Sequence, residues 1–175
     1  QLELGQPMHA FDREKIDGEI IIDLLQKEET IEALDGKSYS VKPGAIVIRD
    51  RKKIVAVAGV IGCANSMVTD STTRVLLESA CFDPVHVRKT ARAMGLSTDA
   101  SYTFERGSDI EAVVPALRRV LHLAEGSAGA VKDQEGAHVV GFTLAEGPAP
   151  EKRKLPFTIK EIRHQLNLPR LADVE

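Results

Sequence analysis

Four short segments hold the residues whose types and spacing could do chemistry. Gly5-Gln6-Pro7-Met8-His9-Ala10-Phe11-Asp12 reads as a small, rigid turn that presents a histidine just after a proline. Leu76-Leu77-Glu78-Ser79-Ala80 puts a carboxylate inside an apolar run, where it must be solvated, paired or used. Ala58-Gly59-Val60-Ile61-Gly62 follows a predicted strand and brings two glycines close together. Thr98-Asp99-Ala100-Ser101 leads into Phe104-Glu105-Arg106-Gly107. Alone, the first three have a plain structural reading: a satisfied histidine, an edge-strand carboxylate, a bulge or tight turn. The residues by themselves leave those readings open beside functional ones.

The chemistry they could support is limited. The chain has no GxSxG elbow, no HExxH zinc pair and no Cys/His pair close in sequence. The glycine segment lacks the GxxxxGK[ST] and GxGxxG patterns of phosphate loops. An enzyme built from these residues would hydrolyse by positioning a water, with no covalent intermediate.

The elements that must position them follow from pattern and punctuation. Strands are expected at Glu19–Leu25, Thr30–Leu34, Lys37–Val41, Ala45–Arg49 and Ile54–Val60, with Arg74–Phe82 as a further, buried one. Asp35-Gly36 marks a hairpin turn, Pro43-Gly44 another, and Asp50–Lys53 a charged turn of a second hairpin. Asp83-Pro84 opens a helix as cap and first residue, and Gly95 ends it. Ser108 with Glu111 predicts a capping box for a helix that stops at Gly126. His138–Leu144 returns to strand, Glu146–Lys154 has linker composition, and Thr158 with Glu161 opens a short helix to Leu166.

Composition bounds the rest. Aromatics are 4% of the chain with no Trp, so the core must be mostly Val, Ile, Leu and Ala. A net charge of −3 argues against a general nucleic-acid coat, so any such contact is local. The basic clusters Arg88-Lys89 with Arg92, Arg118-Arg119 and Lys152-Arg153-Lys154 read as solvated helix faces and a linker. Cys63 and Cys81 lack metal-type spacing and are expected as buried free thiols of a reducing compartment. No run of 18 apolar residues occurs, and no membrane or DNA partner is expected. The start at Gln1 without a Met suggests a piece of a longer protein.

In order and spacing, the four segments resemble the editing domain of the bacterial phenylalanyl-tRNA synthetase beta subunit. The resemblance covers about residues 1–145, and the tail from about 153 looks like the start of the next domain. It implies an α+β fold, a mixed layered domain with sheets of unusual topology packed against helices. It divides the chain into an editing domain over 1–146 and a linker with the truncated start of the following domain over 147–175. It implies removal of tyrosine wrongly attached to tRNA(Phe). A pocket shaped for phenylalanine rejects an added hydroxyl by only about a hundredfold, so a second site must select for that hydroxyl.

By the same resemblance, Glu78 recognises the tyrosine hydroxyl, and Pro7 and His9 line the pocket near the ester, with His9 orienting the water. Gly62, with Ala58 and Gly59, forms a close-approach wall, and Thr98 and Ala100 come from the opposite one. The implied partners are the acceptor end of tRNA(Phe), the tyrosyl ester and the synthetase alpha subunit, in the cytoplasm. No cofactor or metal is expected in these residues; ATP and Mg2+ belong to the full synthetase. The alternative is a non-catalytic tRNA-binding or subunit-scaffolding module of the same enzyme. Two positions depart from the family pattern: Cys63 stands where a second glycine is usual, and Thr103 where Arg is common.

Overall fold

The computed structural model of the chain describes residues 1–128 and, beyond them, residues 141, 143–145, 147, 158 and 161. The strand expected at His138–Leu144, the linker and the helix from Thr158 to Leu166 thus lie largely outside the described residues. The chain divides into two units, Gln1–His138 and Val139–Glu175. The described residues of the first form an α+β domain of eight strands and three helices.

Its scaffold is a four-stranded antiparallel sheet in the order β2-β5-β6-β7. β2 is Ile21–Leu24, β5 Ile46–Arg49, β6 Ile54–Val57 and β7 the two residues Ile61–Gly62. β6 is buried along its whole length, whereas β2 leaves Ile21, Ile22 and Leu24 exposed at the sheet edge. The hairpin β3 (Glu29–Glu32) with β4 (Ser38–Val41) turns at Asp35-Gly36, where Gly36 takes a φ of 75°. It joins the sheet through an Ala33↔Cys63 bridge and a bond from the Leu34 N–H to the Gly62 carbonyl, 3.0 Å.

β1 (Met8–Asp12) and β8 (Val75–Ser79) form a separate antiparallel ribbon. The segment around His9, expected as a turn, is therefore a strand; the turn that Gly5 permits lies just before it, closed by the Gly5 N–H to the Gln1 carbonyl at 2.7 Å. β8 is also less buried than its apolar run suggests. Val75 is exposed and Leu76–Ser79 are half-buried in this two-stranded ribbon.

α1 (Pro84–Met94) matches its punctuation: the Asp83 side chain accepts from the His86 N–H, and Gly95 ends the helix in the left-handed region. α2 (Asp99–Phe104) has no counterpart among the expected helices. Thr98 and Ser101 cap it reciprocally, side chain to backbone in both directions. α3 (Val113–Ala128) is led in by a 3-10 turn at Ile110–Ala112 whose cap is Asp109, accepting from the Glu111 N–H at 2.9 Å. The predicted Ser108 cap gives way because its hydroxyl turns to the Cys81 sulfur, 3.3 Å. α3 also runs through Gly126; a helical glycine costs about 1 kcal/mol, which does not end a helix.

The core is Val-, Ile- and Ala-rich as composition requires, with Phe11, Phe82 and Phe104 as its aromatics. Of the two thiols, Cys63 is buried in this core, and burial pushes it up to about 12. Cys81 is exposed, which corrects the expectation that both are buried. Its strand has ended at Ser79, and the side chain lies at the surface beside Ser108.

One buried charge ties the sheet's turn to the chain before it. Asp50 is 1% exposed and accepts from the backbone N–H groups of Asp17 (3.0 Å), Lys52 (2.7 Å) and Lys53 (2.8 Å). Burial alone would raise its pKa, but these three donors hold it below the ordinary carboxylate value. Asp50→Ala leaves three donors unpaired and should cost about 2–4 kcal/mol in urea unfolding, since each charge-assisted bond contributes about 1.5–3 and they do not add. A loss below about 1 kcal/mol would contradict this account.

Candidate functional site

The site starts from strand register. β1 and β8 place His9 directly opposite Glu78, and Phe11 opposite Leu76. Directly opposed side chains share a face, with Cβ atoms about 4.5–5.5 Å apart. The His9 ring also meets the Phe11 ring edge-on, centroids 4.4 Å apart. Neither resemblance nor spacing indicated that His9 and Glu78 are strand neighbours.

They border a cavity of about 60 Å3. A single water needs roughly 10–15 Å3 on this measure, so the space suits a few waters and not an aromatic ring without movement of its walls. Six of the predicted site residues line it: Pro7, His9, Gly59, Gly62, Glu78 and Ala100. Ala58 and Thr98 are not among the lining residues. Ala58 is buried, its N–H donating to the Ile46 carbonyl at 3.0 Å. Thr98 donates through Oγ1 to the Val60 carbonyl at 2.7 Å, which ties the start of α2 to the lining turn. The sequence reading missed Met8, Phe82 and Phe104 in the lining; the two Phe rings pack edge-on, 5.1 Å between centroids, beneath the cavity.

The two glycines serve different contacts. A Cβ on Gly62 would collide with the His9 ring, lying 2.7 Å from Nε2, and would also press on Leu34. Gly59 has a φ of 68°, and a Cβ there would meet Val87 at 2.9 Å and the rings of Phe82 and Phe104. Gly62 thus gives His9 its place, and Gly59 lets the turn settle on the core. The departures from the family pattern do not narrow the cavity. Cys63 is 1% exposed in the core, and Thr103 donates to the Asp99 carbonyl and accepts from the Gln1 amide on the surface of α2.

Electrostatically, both groups are held toward neutrality by burial. Burial lowers His9 below its ordinary 6.5 and raises Glu78 to about 7. His9 Nε2 is buried with no hydrogen-bond partner. Glu78 likewise has no side-chain partner among the described residues. A neutral imidazole and a carboxyl poised near neutral pH can both accept from a hydroxyl or water. Among the described residues, no group of three His, Cys, Asp or Glu is placed to hold a metal ion. None of the helices there is long and apolar enough to cross a membrane.

These features define a small α+β domain with a hydrogen-bonding cleft set between a two-stranded ribbon and a glycine turn. The chain belongs to the B3/4 domain family, whose model matches residues 1–129. It is similar to phenylalanine–tRNA ligase beta subunits. The one from Desulfotalea psychrophila is 48% identical over 137 residues, 77% of this chain and 17% of the relative. That from Psychrobacter arcticus is 46% identical over 157 residues, 90% of this chain and 19% of the relative. That from Protochlamydia amoebophila is 45% identical over 131 residues, 74% of this chain and 16% of the relative. The chain therefore spans less than a fifth of the length of these curated relatives.

Glu78 makes a stability prediction. Unfolding returns it to 4.5, so the folded chain holds the extra proton between pH 4.5 and about 7. Its contribution is fully present below 4.5 and is lost as pH rises through 7. His9 acts in the opposite sense, and its contribution is lost as pH falls below 6.5. Glu78→Gln should therefore gain on the parent chain by about 1–3 kcal/mol between pH 4.5 and 8 in urea unfolding. A constant offset across that range would contradict the assignment.

Proposed function

We propose that this domain belongs to a phenylalanine–tRNA ligase beta subunit and hydrolyses Tyr-tRNA(Phe) in its His9–Glu78 cleft. The observation that carries this reading is the pairing of two largely buried groups with unspent hydrogen-bonding capacity across one cavity. A water oxygen adds to the ester carbonyl carbon, the bond to the ribose oxygen breaks, and the proton released by the water ends on that oxygen. His9 orients the water, and Glu78 accepts from the phenol hydroxyl. Phenylalanine offers Glu78 no donor, so the carboxyl stays unpaired; that difference is worth about 1–3 kcal/mol. Pro7, Gly62 and Ala100 bound the tyrosyl group; Gly59 and Ala58 support the turn, and Thr98 holds α2 against it.

The domain acts within a larger enzyme. Its partners are the tRNA(Phe) acceptor end and the alpha subunit, its place is the cytoplasm, and ATP with Mg2+ serves amino-acid activation elsewhere in the assembly. The domain boundary falls near residue 146. The small cavity favours a second reading, a module that binds the tRNA end or scaffolds the subunit without hydrolysis.

In the full synthetase, Glu78→Ala should lower the tyrosine-over-phenylalanine deacylation ratio by about tenfold or more. An unchanged ratio removes Glu78 from recognition. His9→Ala should slow deacylation by about a hundredfold while the circular dichroism spectrum is kept; an unchanged rate sinks its role. Binding of Tyr-tRNA(Phe) with no release of tyrosine by the parent enzyme would favour the second reading.

A further inference from the structure

The ribbon that pairs His9 with Glu78 ends at a proline, and a buried glutamine takes over there. The β1–β8 register pairs residues whose numbers sum to the same value, from Asp12↔Val75 to Met8↔Ser79. The next pair in that register would be Pro7↔Ala80. Arg13 donates its N–H to the Arg74 carbonyl at 2.9 Å, one step beyond the other end of the ribbon. Hydrogen-bonded pairs alternate along an antiparallel ladder, so that bond assigns them to the odd residues of β1. His9↔Glu78 is then such a pair, and Pro7↔Ala80 should be the next. Pro7 has no N–H to give, so the Ala80 carbonyl loses its ladder donor.

Gln6 supplies it. Its Nε2 donates to the Ala80 carbonyl at 2.7 Å and to the Pro7 carbonyl at 3.1 Å. The side chain is 2% exposed. The fold also accepts a cost to keep it, because Gln6 Oε1 is buried with no partner. A buried apolar residue of similar length would avoid that cost and forfeit only the two bonds. We propose that Gln6 is a positioning residue: its amide replaces the ladder bond that Pro7 cannot make and fixes the register in which His9 and Glu78 face each other. Pro7 can then present a rigid, donor-free wall to the cavity without fraying the ribbon two residues from Glu78. For activity this rests on the proposed Tyr-tRNA(Phe) hydrolysis; for geometry it stands alone.

The test pairs Gln6→Met with Pro7→Ala, which restores a main-chain N–H opposite Ala80. In the full synthetase, Gln6→Met should lower kcat for Tyr-tRNA(Phe) deacylation by roughly ten- to a hundredfold with little change in KM. Added to Pro7→Ala, the same change should cost less than about threefold, because the backbone donor makes the amide redundant. In the 175-residue chain, the His9 ring titration followed by NMR should move toward 6.5 in Gln6→Met and stay lowered in the double variant relative to it. Among the described residues Glu78 is the one other titratable side chain lining the cavity, so Glu78→Gln serves as the control for its influence. An equal loss in both backgrounds, or an unmoved titration in a folded Gln6→Met chain, overturns the proposal. If Gln6→Met does not fold, Pro7→Ala with and without it decides, and a large loss there also overturns it. A parent enzyme without deacylation sinks the functional reading instead, and the titration still judges Gln6.

Discussion

His9 and Glu78 face each other across two strands with no countercharge beside either among the described residues, and much of the domain's arrangement answers to that. Each is pushed toward its neutral form by burial. Neither gains a salt bridge or hydrogen bond from the described protein to offset the desolvation. Such a pair does not hold its own neighbourhood together. The stability has to come from the fully buried β6, from the apolar core beneath it, and from polar clamps such as Asp50 that satisfy backbone groups away from the cleft.

The turn between β6 and β7 carries that support to the site. Gly59 sits against Val87, Phe82 and Phe104 on the core side, while Gly62 abuts His9 and Leu34. Between them, the Val60 carbonyl accepts from Thr98, so the capped start of α2 is fixed to the same few residues. The ribbon, sheet and helix thus meet at one turn without a shared strand. A shift there would move Ala100 and the His9 contact together, which couples two sides of the cleft through the four residues Gly59–Gly62.

Local punctuation made part of this legible in the sequence. Asp35-Gly36 and the Asp83-Pro84 start with Gly95 at the end work through neighbours within a few positions, and the structure follows them. β1 was hidden because Gly5 and Pro7 announce a turn, while its ladder partner lies at Val75–Ser79. α2 was hidden because its capping box closes with Ser101 in place of the usual Glu or Gln. Ser108 and Glu111 show the reverse error: the pattern was present, but Asp109 took the cap and Ser108 turned to Cys81. At the site, six of the eight residues that the resemblance named line one cavity, and Ala58 and Thr98 do not. The resemblance could not give the cross-strand register, nor the part played by Gln6, because both depend on which carbonyl a proline leaves without a donor.

The size of the cleft bears on how selectivity would arise. A cavity of about 60 Å3 does not sort ligands by a ready-made shape, since an aromatic ring would have to displace walls to enter. What is ready-made is unspent hydrogen-bonding capacity. An entering group with a hydroxyl could offset the cost of opening by pairing with Glu78, whereas a purely apolar ring of the same outline would meet the same walls and leave the carboxyl unpaired. On the proposed reading, discrimination therefore sits in the difference between a satisfied and an unsatisfied buried group. That difference is available only while His9 and Glu78 are kept buried and in register, so on that reading the proline, the glutamine beside it and the glycine under the imidazole are as much part of the selectivity as the carboxyl itself.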